Sequence, residues 1–138
     1  MVMLQANPNA EASVAFDVLQ PQEAKVRVKS IEEKDSKSTP GNKLWEVRFE
    51  FVDPSSLIRE DGQTATNPGT LIDSSLVVEP LDKQGRVKAF VLACGEQWAN
   101  IDSDNLIGKE LSIKTKVDTY NGEKSTKVGR YLFDKSLA

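Results

Sequence analysis

Histidine is absent from the 138 residues, and cysteine occurs once, at position 94. The first absence removes every triad built on an imidazole base and every histidine-ligated zinc centre; the second removes cysteine metal clusters and internal disulfides. Cys94 falls on the apolar side of a helical pattern, the usual place of a buried free thiol. Aromatic residues make up 7% of the chain, and no run approaches the roughly 18 apolar residues of a membrane span. The opening stretch Met1 to Pro8 lacks the basic and apolar regions of a secretory signal. The expectation is a cytoplasmic protein that meets no membrane.

Motifs for chemistry are equally scarce. Asp102-Ser103-Asp104-Asn105 lacks the glycine and the distal glutamate of a calcium loop, so it reads as a turn or a helix cap. The segment from Gly62 to Gly69 is not followed by the Gly-Lys-Ser/Thr of a phosphate loop. No pair of carboxylates stands in a context that would separate an acid from a base. The chain is expected not to be an enzyme and to need no cofactor or metal.

Alternating strands are what the sequence does contain. Val26 and Val28 oppose Lys25, Arg27 and Lys29 in a first strand beginning at Ala24. A polar loop from Lys34 to Lys43 carries a Pro-Gly turn signal. A second strand, Leu44 to Val52, sets Trp45, Val47, Phe49 and Phe51 against Glu46, Arg48 and Glu50. After a long connection, Asp53 to Thr70, a third strand covers Leu71 to Val78. Val87, Phe90, Val91 and Cys94 then recur at helical spacing, and Gly95 stands where a left-handed cap would end the helix. Two further alternating runs meet at Tyr120-Asn121-Gly122-Glu123, where Asn-Gly supplies the positive φ of a type I′ hairpin. One face of the first run is Leu111, Ile113, Thr115 and Val117; the other is Ser112, Lys114, Lys116, Asp118 and Tyr120.

This succession, three strands, a helix and two strands, is that of an OB-fold, a five-stranded Greek-key barrel with the helix between strands three and four. The domain is expected over residues 23–133, with an arm at 1–22 whose apolar piece Val14 to Leu19 could add an edge strand, and a short tail at 134–138. Closure is expected to bring the fifth strand beside the first, and Arg27 near Lys127. A sandwich of similar strands is the competing architecture.

Charge is uneven along the chain. The net charge is −3, yet the stretches Lys25 to Lys43 and Lys109 to Arg130 each carry six basic residues against three acidic ones, and Asp53 to Ile107 carries nine acidic against four basic. If the first and last strand regions are neighbours, one face becomes basic. Lysines also serve to blunt strand edges. The functional alternative is a surface for single-stranded nucleic acid, with lysines for phosphates and rings for bases. The candidate residues are Lys25, Arg27, Lys29, Lys37, Lys43, Arg48, Lys114, Lys116, Lys124 and Lys127 for phosphates, and Tyr120, Tyr131 and Trp45 for bases. Trp98, Phe49 and Phe51 are expected in the core.

The chain resembles the small OB-fold single-stranded-DNA-binding proteins of bacteriophages. The resemblance lies in Glu33-Lys34-Asp35-Ser36-Lys37-Ser38 leading through Gly41-Asn42 to an apolar strand, in the helix ending Ala93-Cys94-Gly95, in Leu106-Ile107-Gly108-Lys109, and in the Tyr120-Asn121-Gly122-Glu123 hairpin. It spans about residues 21–133 and implies sequence-independent binding and protection of single-stranded DNA in phage replication or recombination, with replication or recombination proteins as partners. Many such proteins end in an acidic tail, whereas this sequence reads Phe133-Asp134-Lys135-Ser136-Leu137-Ala138. The alternatives are an OB-like protein-interaction module using the acidic middle and the 53–70 loop, or an oligomeric structural component with the arm exchanged between copies.

Overall fold

A computed structural model describes residues 1–10 and 15–137. Five strands, β1 (Glu23–Asp35), β2 (Lys43–Phe51), β3 (Thr70–Glu79), β4 (Glu110–Tyr120) and β5 (Glu123–Tyr131), form one antiparallel sheet in the order β3-β2-β1-β4-β5. The single α-helix of the described residues, α1 (Gly85–Ala93), follows β3 in the chain. Alternation places Val26 and Val28 of β1, Val47, Phe49 and Phe51 of β2, and Leu111 and Ile113 of β4 on one buried side, joined there by Val87, Phe90 and Val91 of the helix. Burial of these side chains stabilises the fold by about 1.5–3 kcal/mol each.

The helix stops as its glycine dictates. Gly95 has φ +83°, its N–H donates to the carbonyl of Leu92, and Glu96 N–H donates to that of Val91. These are the two bonds of a Schellman cap. Asn121 (φ 50°) and Gly122 (φ 79°) close the β4–β5 hairpin as a two-residue turn between the paired Tyr120 and Glu123. Asp102 caps a short 3-10 turn by accepting from Asp104 N–H at 3.0 Å.

The sheet departs from the sequence pattern at several places. β1 continues to Asp35 and pairs it with Lys43, so the turn is residues 36–42 instead of the longer loop expected. An irregularity between Val28 and Ser30 lets this long strand bend. β4 separates β5 from β1, so the fifth strand does not lie beside the first; Arg27 stands opposite Glu50 and Glu110, while Lys127 stands opposite Lys116. A second irregularity falls in β5. Thr115 pairs with Val128 and Lys114 with Arg130, leaving Gly129 as an extra residue. A Cβ there would stand 2.9 Å from the backbone oxygen of Lys114, which explains glycine at this position. The extra residue reverses the alternation, so Val128 and Tyr131, three apart, both face inward.

The arm adds no edge strand among the described residues; its Val14 lies outside them. Leu19 is buried and forms an isolated bridge with Arg59. The 53–70 connection is tied down by Gln22, whose side chain donates to Ile58 C=O at 2.7 Å and accepts from Ile58 N–H at 3.1 Å, and by the buried Leu57 and Ala65.

Candidate functional site

The expected basic face divides into two halves with different electrostatics. On β1 and β2 four of the six cations are matched, Lys25 and Lys43 being the exceptions. Arg27 lies 3.1 Å from Glu50 and 3.7 Å from Glu110, Lys29 lies 3.9 Å from Glu50, and Arg48 lies 3.7 Å from Glu46. Lys34, 3.1 Å from Glu46, is held above its ordinary range by that hydrogen bond, and Glu46 below its own. Alternation put these side chains on one face, but it did so for the glutamates as well.

On β4 and β5 the cations face one another. Lys116 is directly opposite Lys127, and Lys114 is directly opposite Arg130. None of the four has an ion-pair partner among the described residues. Like charges directly opposite in a sheet are destabilising, and the folded chain carries two such pairs side by side. Tyr120 ends the same outward row at 78% exposure, with its ring at the hairpin tip. Lys25, Lys37 and Lys43 are also exposed without ion-pair partners among the described residues, Lys25 opposite Ser112 and the other two around the β1–β2 turn. Lys124 is engaged by Glu60 at 2.6 Å.

Beside this ribbon runs a trough between β3 and the β4–β5 hairpin, the two flanks of the sheet that share no hydrogen-bonded ladder. Two cavities make it up, and a third adjoins them on the hairpin itself. One of about 410 Å³ is lined by Ile72, Ser74, Ser75, Arg86, Lys116 and Lys127, with Asp73, Asp118 and Val128. A second, about 350 Å³, lies between Phe16, Pro68, Ile72, Lys124 and Lys127. The third, about 380 Å³, is bounded by Asp118, Tyr120, Glu123, Lys124, Ser125 and Lys127. Lys127 borders all three. Ile72, Ser74 and Phe16 were not among the residues the sequence singled out. Ile72 and Ser74 lie on the outward parity of β3, a signal available but overshadowed by the charge pattern.

Two of the three candidate rings are placed elsewhere. Tyr131 is buried at 4% exposure, packed at 6.1 Å from Phe49 and 5.4 Å from Phe90. The bulge at Gly129 turned it inward and removed its face from solvent. Trp45 is half-buried against the core and shares a cavity of about 330 Å³ with Trp98, Val87, Val91 and Ile101, on the helix side of the sheet. Trp98 packs on the core as expected.

What holds the trough in shape is a buried carboxylate. Asp73 of β3 is 5% exposed and accepts from Ser75 N–H and O–H, from Tyr131 O–H, and from Arg86 Nε and Nη2 at 3.0 and 2.8 Å. Arg86 also donates to the carbonyls of Val128 and Gly129. One side-chain cluster thus ties β3, α1 and β5 together where no backbone ladder does. Burial pushes the Asp73 carboxyl up, but the Ser75, Tyr131 and Arg86 donors outweigh it and hold the group below its ordinary range. Burial, with the Asp73 charge beside it, raises Tyr131 so that it stays a donor. Burial also lifts the Cys94 thiol to about 12, leaving it an inert packing group.

The fold and this site define a small antiparallel β-sheet protein with one α-helix among its described residues and a cationic β-ribbon beside an open trough. No helix of the described residues is long and apolar enough to cross a membrane. Compared with models of known protein families and with curated proteins, the chain matches none.

Proposed function

We propose that this chain is an OB-type five-stranded barrel that binds single-stranded DNA without catalysis and largely without regard to sequence, in replication or recombination. The observation that carries the reading is the pairing of Lys116 with Lys127 and Lys114 with Arg130 on one ribbon. A fold that keeps together four cations with no ion-pair partner among the described residues costs itself stability, and a polyanion relieves that cost. The strand order β3-β2-β1-β4-β5 and the Asp73–Tyr131 bond across the open flank support the barrel architecture. Tyr120, exposed beside the lysines, supplies a face for a base, and stacking of this kind is worth about 1–3 kcal/mol. The trough between β3 and the hairpin gives a single strand a bounded path.

Titration of a fluorescent oligo-dT of about 30 nucleotides, several OB-type site sizes long, tests the reading. Four engaged cations give a log affinity falling with log salt at a slope of about −3, from roughly −0.7 per phosphate. Duplex of equal length is expected to compete poorly. Tyr120→Ala is expected to weaken binding about 5-fold or more without altering the slope. Absence of binding at low salt, or a salt-insensitive complex, would remove the single-strand reading.

A further inference from the structure

We infer that Phe16, on the arm, is a second base-stacking platform, so that a bound strand runs from the hairpin tip across the Lys124–Lys127 segment to the arm. The inference rests on the single-strand reading of the trough. Phe16 is 55% exposed and stands outside the hydrophobic core cluster, yet its place is fixed. Asp17 N–H donates to Asn67 C=O at 2.8 Å, the Asp17 carboxylate accepts from Thr66 N–H and Asn67 N–H at 2.8 Å each, and Asn67 Nδ2 donates to Ala15 C=O at 3.3 Å. The ring lies directly against Gly69, where any Cβ would overlap it; this glycine also has φ +71°.

An aromatic side chain positioned by backbone bonds on both sides and by a neighbouring glycine, but left more than half in water, contributes less to the core than its size allows. It is oriented for something that arrives. The cavity it borders also contains Lys127, the Glu60-paired Lys124 and Asp17, and the adjoining one contains Tyr120 with the same two lysines, Ser125, Asp118 and Glu123. A ring at each end of a lysine-bearing segment matches the alternation of base and phosphate in an unpaired strand. In a duplex the base faces are already stacked on one another and are not offered.

The test compares wild type, Phe16→Ala and Phe16→Tyr by fluorescence anisotropy. Each is titrated with oligo-dT and with an abasic oligonucleotide of the same length and charge, and thermal midpoints are recorded alongside. Phe16→Ala is expected to bind oligo-dT about 5-fold or more weakly, to bind the abasic strand as wild type does, and to keep the wild-type salt slope. Phe16→Tyr is expected to keep wild-type affinity for both. Unchanged oligo-dT affinity in Phe16→Ala, with wild type binding normally, would overturn the inference and leave the single-strand reading standing. Equal losses on both strands would also overturn it, by assigning Phe16 to packing of the arm. Failure of wild type to bind either strand would remove the single-strand reading itself and this inference with it.

Discussion

Lys116→Glu is expected to make the protein more stable and a much poorer ligand for single strands. The substitution turns the Lys116–Lys127 pair, directly opposite across β4 and β5, from like to opposite charge. A favourable cross-strand pair in place of a repulsive one is worth about 0.2–1 kcal/mol, which for a domain of this size raises Tm by a few degrees at most. On a phosphate-binding face the same change removes one cation and neutralises its neighbour. Affinity for oligo-dT at low salt is expected to fall at least about 10-fold, and the salt slope to flatten by about 0.7 to 1.4, for one or two phosphates released. Thermal denaturation and oligo-dT titration of a single variant read both effects. The opposite signs matter because a merely structural ribbon offers no reason for binding to fall as stability rises.

Asp73→Ala is expected to cause the largest loss of stability. Removing the carboxylate leaves the buried Tyr131 hydroxyl without its acceptor and the Arg86 guanidinium without its counter-charge, held only by the carbonyls of Val128 and Gly129. Breaking a buried pair by deleting one member costs about 3–5 kcal/mol, and the partial exposure of Arg86, 32% for its side chain, points to the lower end. A loss of about 3 kcal/mol corresponds to a Tm lower by about 10 °C. The pH dependence has a definite sign. The folded-state pKa of Asp73 lies below the ordinary aspartate value, so its contribution is fully present above that ordinary value and is lost as pH falls through the folded pKa. The stability gap between wild type and Asp73→Ala should therefore be constant near neutrality and shrink below about pH 4. Taking the difference isolates Asp73 from Asp17, Glu46 and Asp134, whose carboxyls are also held low. The trough loses its tie between β3 and β5 in this variant, so weaker oligo-dT binding should accompany the lower Tm.

Much of the fold is legible in local chemistry. The alternation of Val26 and Val28, the helical spacing of Val87, Phe90 and Val91, the left-handed Gly95 and the Asn121-Gly122 turn each act within a few residues, and each is found where its physics puts it. The site was less legible because it depends on which strands become neighbours. Period-two alternation tells that Arg27, Lys29 and Arg48 point outward. It does not tell that Glu50, Glu110 and Glu46 stand beside them, so part of the expected basic face is electrically matched. Tyr131 shows a different failure. A single extra residue at Gly129 inverts every assignment after it, and only the neighbouring strand reveals that residue as extra. Asp73 did carry a sequence signal: an acid on the same parity as Leu71, at an inward position of an apolar strand, requires partners. Phe16 carried none, since its setting depends on Asn67 and Gly69, about fifty residues away in the chain.

Amide chemical-shift mapping of the labelled protein with unlabelled oligo-dT at low salt tests the central claim most directly. The account predicts shifts concentrated in β4 and β5 from Lys114 to Arg130, with a second set along Thr70 to Ser75 of β3 and at Arg86, which line the trough, and little change at Trp98 or in α1 beyond its first turn. Shifts confined to the Trp45–Trp98 side or to the 53–62 segment, or no shifts at all, would contradict it.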